Sequence, residues 1–427
     1  MIKAGHSLGF FIYLYLRKAT FMKYIIARSF LFSLFSIGTL FAQESALNAE
    51  KLKAFDAFVL QEIEANNIAG AEVYIVQNGQ TVWHSAQGNK NMQTQAALEK
   101  NSISYIQSMT KPIISTAIMQ LVEQGKLSLN DKVEKYIPEV AQLRVTTDPE
   151  KGMNGPTSTR EGDITLAQLL THTAGFSHGL GSSKLDQELF AALYNETLDY
   201  KGHENLESRV MALLKAPLIG QPGQQWVYSA SPDLLALILQ RVSKQSIPAY
   251  LQEHLFDPIG MVDTGYNLTE AQAERVMQLH TYDEEGKFGL SELQVPTKGN
   301  TVYGGTHGLF STVKDYTKFC QVFLNEGKAN GHQIITPETV ALMRKNAVGS
   351  FLGESRGFGL GFGVLYNSEK DLSPAASGQF YWGGYFRTHF IVDPTENIIA
   401  FFMTQKLPNG DDYNYALSRF VYGALEK

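Results

Sequence analysis

Cysteine is almost missing. Of 427 residues only Cys320 carries a thiol, so the chain can form no internal disulfide and no Cys/His metal cluster. The ten histidines show no H-E-x-x-H or comparable ligand spacing, and neither a metal nor a cofactor is expected. No apolar run reaches the roughly 20 residues that a membrane-spanning helix needs. Basic residues are also short once the N-terminus is set aside. Residues 1–42 hold Lys3, Arg17, Lys18, Lys23 and Arg28 and no acid, leaving 31 basic against 42 acidic residues in the remainder. That balance argues against a nucleic-acid partner, because phosphate binding draws its affinity from clustered Lys and Arg. Repeats and low-complexity tracts are missing too. Gly357, Gly359, Gly361 and Gly363 alternate with Phe358, Leu360 and Phe362, a period of two that predicts a strand and not a nucleotide-binding loop.

What is present describes a globular chain. Hydrophobic residues make up 44% and charged residues 18%, enough apolar material for a sizeable core and for two or three domains. Met22-Lys23 and Arg28 precede an apolar run over 29–41 that ends at Ala42, the pattern of an export signal cleaved after that alanine. Two tandem apolar runs make Met22 the expected start. With no cysteine after the cleavage point for a lipid, the expectation is a periplasmic or secreted bacterial protein without a stable membrane anchor once the signal is removed.

Periodicity supplies the architecture. Residues 46–65 carry Leu47, Phe55, Phe58, Val59 and Ile63 at helical spacing; 71–77 and 80–85 read as strands joined by Asn78-Gly79, a strong hairpin signal. Ser108 opens an apolar helix reaching Gln124. Helical patterns dominate 165–255, the last third turns β-like over 357–366, 379–385, 388–392 and 397–404, and 411–425 closes as a helix. This order predicts an α+β fold: one antiparallel sheet flanked by helices and built from both chain ends, with an all-helical insert. The expected parts are 1–42 (signal and upstream extension), 43–143 (first part of the α/β domain), 144–299 (helical domain) and 300–427 (second part of the α/β domain), with a site in the groove between them.

Three serines are candidates for chemistry. In Ser108-Met109-Thr110-Lys111, helical i, i+3 spacing puts the amine beside the hydroxyl at a helix N-terminus, where developing negative charge is favoured; the same four residues also fit an N-cap serine with a solvated lysine. Ser311 begins the only other S-x-x-K and reads as an N-cap. Ser177 lies in a literal G-x-S-x-G, but a nucleophile elbow needs a strand, a sharp turn and a helix, and 166–173 before it reads as a helix. Ser177 is expected to be a decoy.

Further along, Tyr228 precedes a helix in a segment ending Ser231-Pro232-Asp233, and Trp382-Gly383-Gly384 lies on a strand. Together with Ser108 and Lys111, in this order, these segments resemble the serine β-lactamase and penicillin-binding-protein superfamily, in its class C-like branch and closest to the family VIII carboxylesterases. Residues 164–175, 258–261, 304–312 and 393–394 also look like that family's framework, so the resemblance covers nearly the whole chain after residue 42. It implies a β-lactamase-like fold, Ser108 as nucleophile, Lys111 as its deprotonating partner and Tyr228 as general base or acid. A tyrosine with a free pKa of about 10 would need a nearby cation such as Lys111 for that work. The resemblance also implies an oxyanion hole from the backbone N–H groups of Ser108 and Tyr385, with Trp382, Gly383 and Gly384 binding substrate.

Departures from the pattern bear on substrate. The family's Tyr-x-Asn is Tyr228-Ser229-Ala230 here, and its Lys-Thr-Gly is Trp382-Gly383-Gly384, so the groups that hold a β-lactam's amide and carboxylate are missing. Arg387 follows the glycines and is a candidate for holding a substrate carboxylate. His307 and His389 are candidate groove residues; His172 and His178 read as helix-end or loop histidines. Hydrolysis of a small-molecule ester leads. A D-amino-acid peptidase or amidase, a β-lactam-interacting hydrolase of the same fold and an inactive peptidoglycan- or partner-binding protein remain as alternatives.

Overall fold

Helix α1 (Ala49–Glu64) starts where the Asn48 side chain accepts the N–H groups of Glu50 and Lys51, and it buries Leu52, Phe55 and Val59 on one face. It leads into strands β1 (Gly70–Gln77) and β2 (Gln80–Asn91). The turn between them has Asn78 and Gly79 at φ 52° and 74°, the left-handed pair that matches strand twist in a two-residue hairpin. Strand β2 runs six residues beyond the expected 80–85. Its extension is polar and only half-buried, so no apolar period announces it; backbone pairing of Gly70 with Gly88 carries it on.

The computed structural model describes residues 47–194, 202–410 and 413–426, all of them within one compact unit. The export segment expected at 1–42 lies outside the described residues. Among the described residues no helix is long and apolar enough to cross a membrane.

Adding β3 (Ala96–Ala97), β4 (Arg356–Phe358), β5 (Gly363–Leu365), β6 (Phe380–Gly384), β7 (Thr388–Asp393) and β8 (Ile398–Met403) gives an eight-stranded sheet in the order β4-β5-β6-β7-β8-β1-β2-β3. Every neighbouring pair is antiparallel. Residues 70–97 and 356–403 supply all eight strands, so both chain ends do share one antiparallel sheet flanked by helices, as expected. The expected all-helical insert is corrected: within 144–299, Val145–Thr146 pairs with Thr157–Ser158 and His280–Tyr282 with Phe288–Leu290, strands too short for a period of two to show. The expected single strand over 357–366 is instead the β4–β5 hairpin. Gly361 at φ 99° takes a left-handed turn that side-chain alternation alone could not reveal.

Alternation along the central strands decides the layers. Val73, Ile75, Ile391, Ala400 and Phe402 face α1 and the C-terminal helix Tyr413–Gly423. Tyr74, Val76, Phe390, Val392, Ile399 and Phe401 face the opposite core. Helix α2 (Thr110–Glu123) lies in that second core and buries every residue from Thr110 to Leu121, the polar Lys111, Ser115, Thr116 and Gln120 included. Helices Lys184–Tyr194, Leu206–Leu213 and Ser231–Ser243 continue the same core away from the sheet.

Candidate active site

Helix α2 does not begin at Ser108. Residues Gln107–Met109 form a 3-10 turn that runs straight into it, and neither Ile106 nor Met109 makes a side-chain cap. The serine is thus held one turn early, and its Oγ accepts from Lys111 Nζ at 2.9 Å. Lys111 is 1% exposed and also donates to the Thr306 carbonyl at 2.8 Å. The solvated-lysine reading of this motif is therefore gone. Burial pushes the Lys111 amine well below its ordinary pKa; Asp233 opposes that effect and Arg209 adds to it.

Those two charges form a buried pair behind the lysine. Arg209 Nε donates to Asp233 Oδ2 at 2.8 Å with both side chains essentially inaccessible. The other carboxylate oxygen, Oδ1, accepts the Thr306 N–H at 2.8 Å. Thr306, whose carbonyl receives the Lys111 amine, is therefore tied through its own N–H to the ion pair. Asp233 closes the Tyr228 segment read in the sequence, yet nothing in its spacing disclosed this contact; its partners lie 24 and 73 positions away.

Tyr228 completes the group. Lys111 Nζ lies over its ring, 4.7 Å from the centroid, and the ring packs on His178 at 5.2 Å, Trp226 at 6.1 Å and Trp382 at 5.5 Å. Desolvation pushes the phenol above its ordinary value, with hydrogen bonding to Ser108 and Trp382 pulling the other way. The expectation that Lys111 would make this tyrosine acidic is corrected: burial dominates, the phenol keeps its proton, and the lysine is the group brought toward neutrality.

Strand β6 forms the facing wall. Ser108, Tyr228, Trp382, Gly383, Gly384 and Tyr385 all line one cavity of about 720 Å³. A Cβ on Gly384 would stand 2.5 Å from the Ile106 carbonyl oxygen and 3.2 Å from Gln107 Cβ; only glycine lets the strand end approach the Ser108 turn this closely.

Arg387 takes no part in this wall. It ends the three-residue turn between β6 and β7 at φ 65°, the left-handed position common at the end of such turns. There its side chain is 1% exposed, donates to the Pro408 carbonyl at 3.1 Å from Nε and lies over the Tyr413 ring at 5.5 Å. The expectation that it holds a substrate carboxylate is corrected: simple strand alternation does not survive a left-handed residue.

Ser177 is a decoy, as expected. Its hydroxyl donates to Asp186 Oδ1 and accepts the Gly179 N–H at 3.0 Å, stitching its own loop. The helix before it, Leu166–Leu170, opens with a capping box between Thr165 and Gln168. Ser311 bonds Thr264 at 2.8 Å, and the cap of the following helix is its neighbour Thr312. His307 and His389 line the cavity as expected, and His172 is a buried structural residue bonded to Ser229 at 3.0 Å. His178 is not the bland loop residue expected: it lines the cavity, stacks on Tyr228 and bonds the Tyr194 hydroxyl at 2.7 Å. Gln107, Tyr194, Trp226, Asn409 and Asn414 are lining residues that sequence reasoning missed. Only Trp226 carried a signal, two positions before Tyr228. Among the described residues no three His, Cys, Asp or Glu side chains gather to hold a metal ion.

Residues 55–421 match the Beta-lactamase family. An uncharacterized protein of Mycobacterium tuberculosis is 28% identical over 371 residues, 83% of this chain and 90% of that one. The esterase EstB of Burkholderia gladioli is 24% identical over 396 residues, 87% and 94% of the two chains. Among solved structures, EstCE1, a hydrolase with promiscuous acyltransferase activity, superposes with a TM-score of 0.73 at 23% identity, covering 88% of this chain and 99% of its own; that likeness speaks for the fold. The chain belongs to the Beta-lactamase family and is a serine hydrolase within it.

Proposed function

We propose that this protein is an exported carboxylesterase that hydrolyses small-molecule esters through an acyl-enzyme on Ser108. The observation that carries the reading is the 2.9 Å contact between Ser108 Oγ and the buried Lys111 amine. With the amine neutral, the contact runs from the serine hydroxyl to the nitrogen lone pair. Ser108 Oγ then attacks the ester carbonyl carbon as its proton passes to Lys111 Nζ. The oxyanion is assigned to the backbone N–H groups of Ser108 and Tyr385; one such donor is worth about 10²–10³ in rate. As the carbon–oxygen bond breaks, Tyr228 gives its proton to the departing alkoxide and is reprotonated from Lys111. Water then enters by the reverse relay: its proton leaves through Tyr228 and Lys111, its oxygen attacks the acyl carbon, and Ser108 is released with the acid.

Ester chemistry is favoured by an esterase among the relatives and by the absence of a Lys or Arg among the described residues that line the cavity. With Arg387 turned away, the peptidase alternative loses the cation that supported it. Export rests on the N-terminal sequence alone. The test compares p-nitrophenyl butyrate hydrolysis by wild type, Ser108→Ala and Ser177→Ala. Loss confined to Ser108→Ala supports the mechanism; activity that survives there and dies in Ser177→Ala sinks it.

A further inference from the structure

Among the cavity-lining side chains that the ester mechanism leaves unused, Gln107 is the one next to the reacting serine. Gln107, immediately before Ser108, is 4% exposed and lines the cavity, and its amide nitrogen Nε2 is buried without a hydrogen-bond partner. Its backbone also sits at φ 47°, a left-handed conformation that residues other than glycine adopt rarely. An unmatched buried donor and an unfavourable backbone at one residue beside the reacting serine point to a contact completed by a ligand.

The surroundings define that ligand's chemistry. No Lys, Arg, Asp or Glu is among the described residues lining the cavity, and burying a charge without a partner is costly. Trp226 Nε1, a donor, and Asn414 Oδ1, an acceptor, are likewise buried and unpartnered on a wall rich in aromatic side chains. The described lining thus suits an uncharged molecule with a few polar atoms. The two backbone donors assigned to the oxyanion occupy the ester carbonyl oxygen, which leaves the Gln107 amide for a different acceptor. Gln107 adjoins the serine that retains the acyl group after the alcohol departs.

Resting on the ester reading above, we propose that Gln107 is a specificity-determining residue. Its Nε2–H donates to an oxygen within two bonds of the ester carbonyl, on the acyl side. The preferred substrates are therefore esters of uncharged oxygenated acids (alkoxy-, hydroxy- or ketoacyl) over plain alkanoyl esters of the same length.

p-Nitrophenyl methoxyacetate and p-nitrophenyl butyrate differ by one oxygen in place of a methylene. Their binding to Ser108→Ala, measured by calorimetry, isolates recognition from turnover. The methoxyacetyl ester is expected to bind about three- to tenfold more tightly, the range of one neutral hydrogen bond. Adding Gln107→Met, or the near-isosteric Gln107→Glu, should bring the two esters within about twofold of each other, with circular dichroism confirming that each variant is folded. Equal binding to the Ser108→Ala parent, no binding of either ester, or a preference that survives both substitutions overturns the assignment. If wild type hydrolyses neither ester while the calorimetric preference holds and depends on Gln107, the esterase reading fails and the Gln107 assignment stands.

Discussion

Lys111 Nζ lies over the face of the Tyr228 ring, 4.7 Å from its centre. Burial acts on the two in opposite senses, lowering the pKa of the amine and raising that of the phenol, because each resists becoming charged in an apolar setting. Burial therefore favours the amine as the proton acceptor and the phenol as the proton donor of the pair.

The acylation rate should rise with pH as Lys111 loses its proton, through a value well below the ordinary 10.5, and then stay level until Tyr228 ionises above its ordinary 10.0. A profile of kcat/KM for p-nitrophenyl butyrate reads this directly. Lys111→Arg, which keeps the charge but cannot deprotonate, should lower kcat by about 10²–10⁴-fold, the usual worth of a positioned base. A variant with near-wild-type kcat would remove Lys111 from that role.

Folding stability should fall in acid. His172, His178 and His307 all have pKa values pushed well below the ordinary 6.5, with burial the largest cause in each. Below that value the unfolded chain binds protons that the folded chain refuses, so their stabilising contribution is present above about pH 6.5 and is lost as pH drops beneath it. Melting temperatures measured from pH 8 to pH 5 should decline chiefly in the lower half of that range. A flat profile would show that the three sites are protonated in the folded state.

Removing one member of the buried ion pair should cost more than any surface change. Asp233→Asn strands the Arg209 guanidinium, and breaking such a pair costs about 3–5 kcal/mol. Because Thr306 is held by Asp233 and receives Lys111, kcat should drop along with the melting temperature. Retained kcat in a destabilised variant would limit the pair to a structural role.

Gly384→Ala tests the close approach of β6 to the serine turn. The new methyl group meets the Ile106 carbonyl at 2.5 Å, so the strand end must withdraw. If the Tyr385 N–H is an oxyanion donor, kcat falls by about 10²–10³-fold while the melting temperature moves by only a few degrees. Ser177→Ala is the contrasting case: it loses the bond to Asp186, should cost about 1–3 kcal/mol as a buried hydrogen bond, and should leave kcat near wild type.

Much of this protein is legible in the chain itself, because the signals are local. Asn78-Gly79 names its own turn, the continuous apolar runs in β1, β7 and β8 mark strands buried on both faces, and Ile113, Ile114, Ala117, Ile118 and Leu121 at helical spacing mark the helix after Ser108. The ordered set of Ser108, Lys111, Tyr228 and Trp382-Gly383-Gly384 identifies the family, since its members come from distant segments with fixed local character. What only the tertiary structure decided depends on left-handed residues and on burial. Arg387 leaves the cavity, and 357–366 folds back as a hairpin, because single backbone positions with positive φ reverse the direction that alternation would assign. His178 and the Arg209–Asp233 pair acquire their surroundings from partners far away in sequence, and the protonation preferences of Lys111 and Tyr228 follow from desolvation, which no spacing of residues can express.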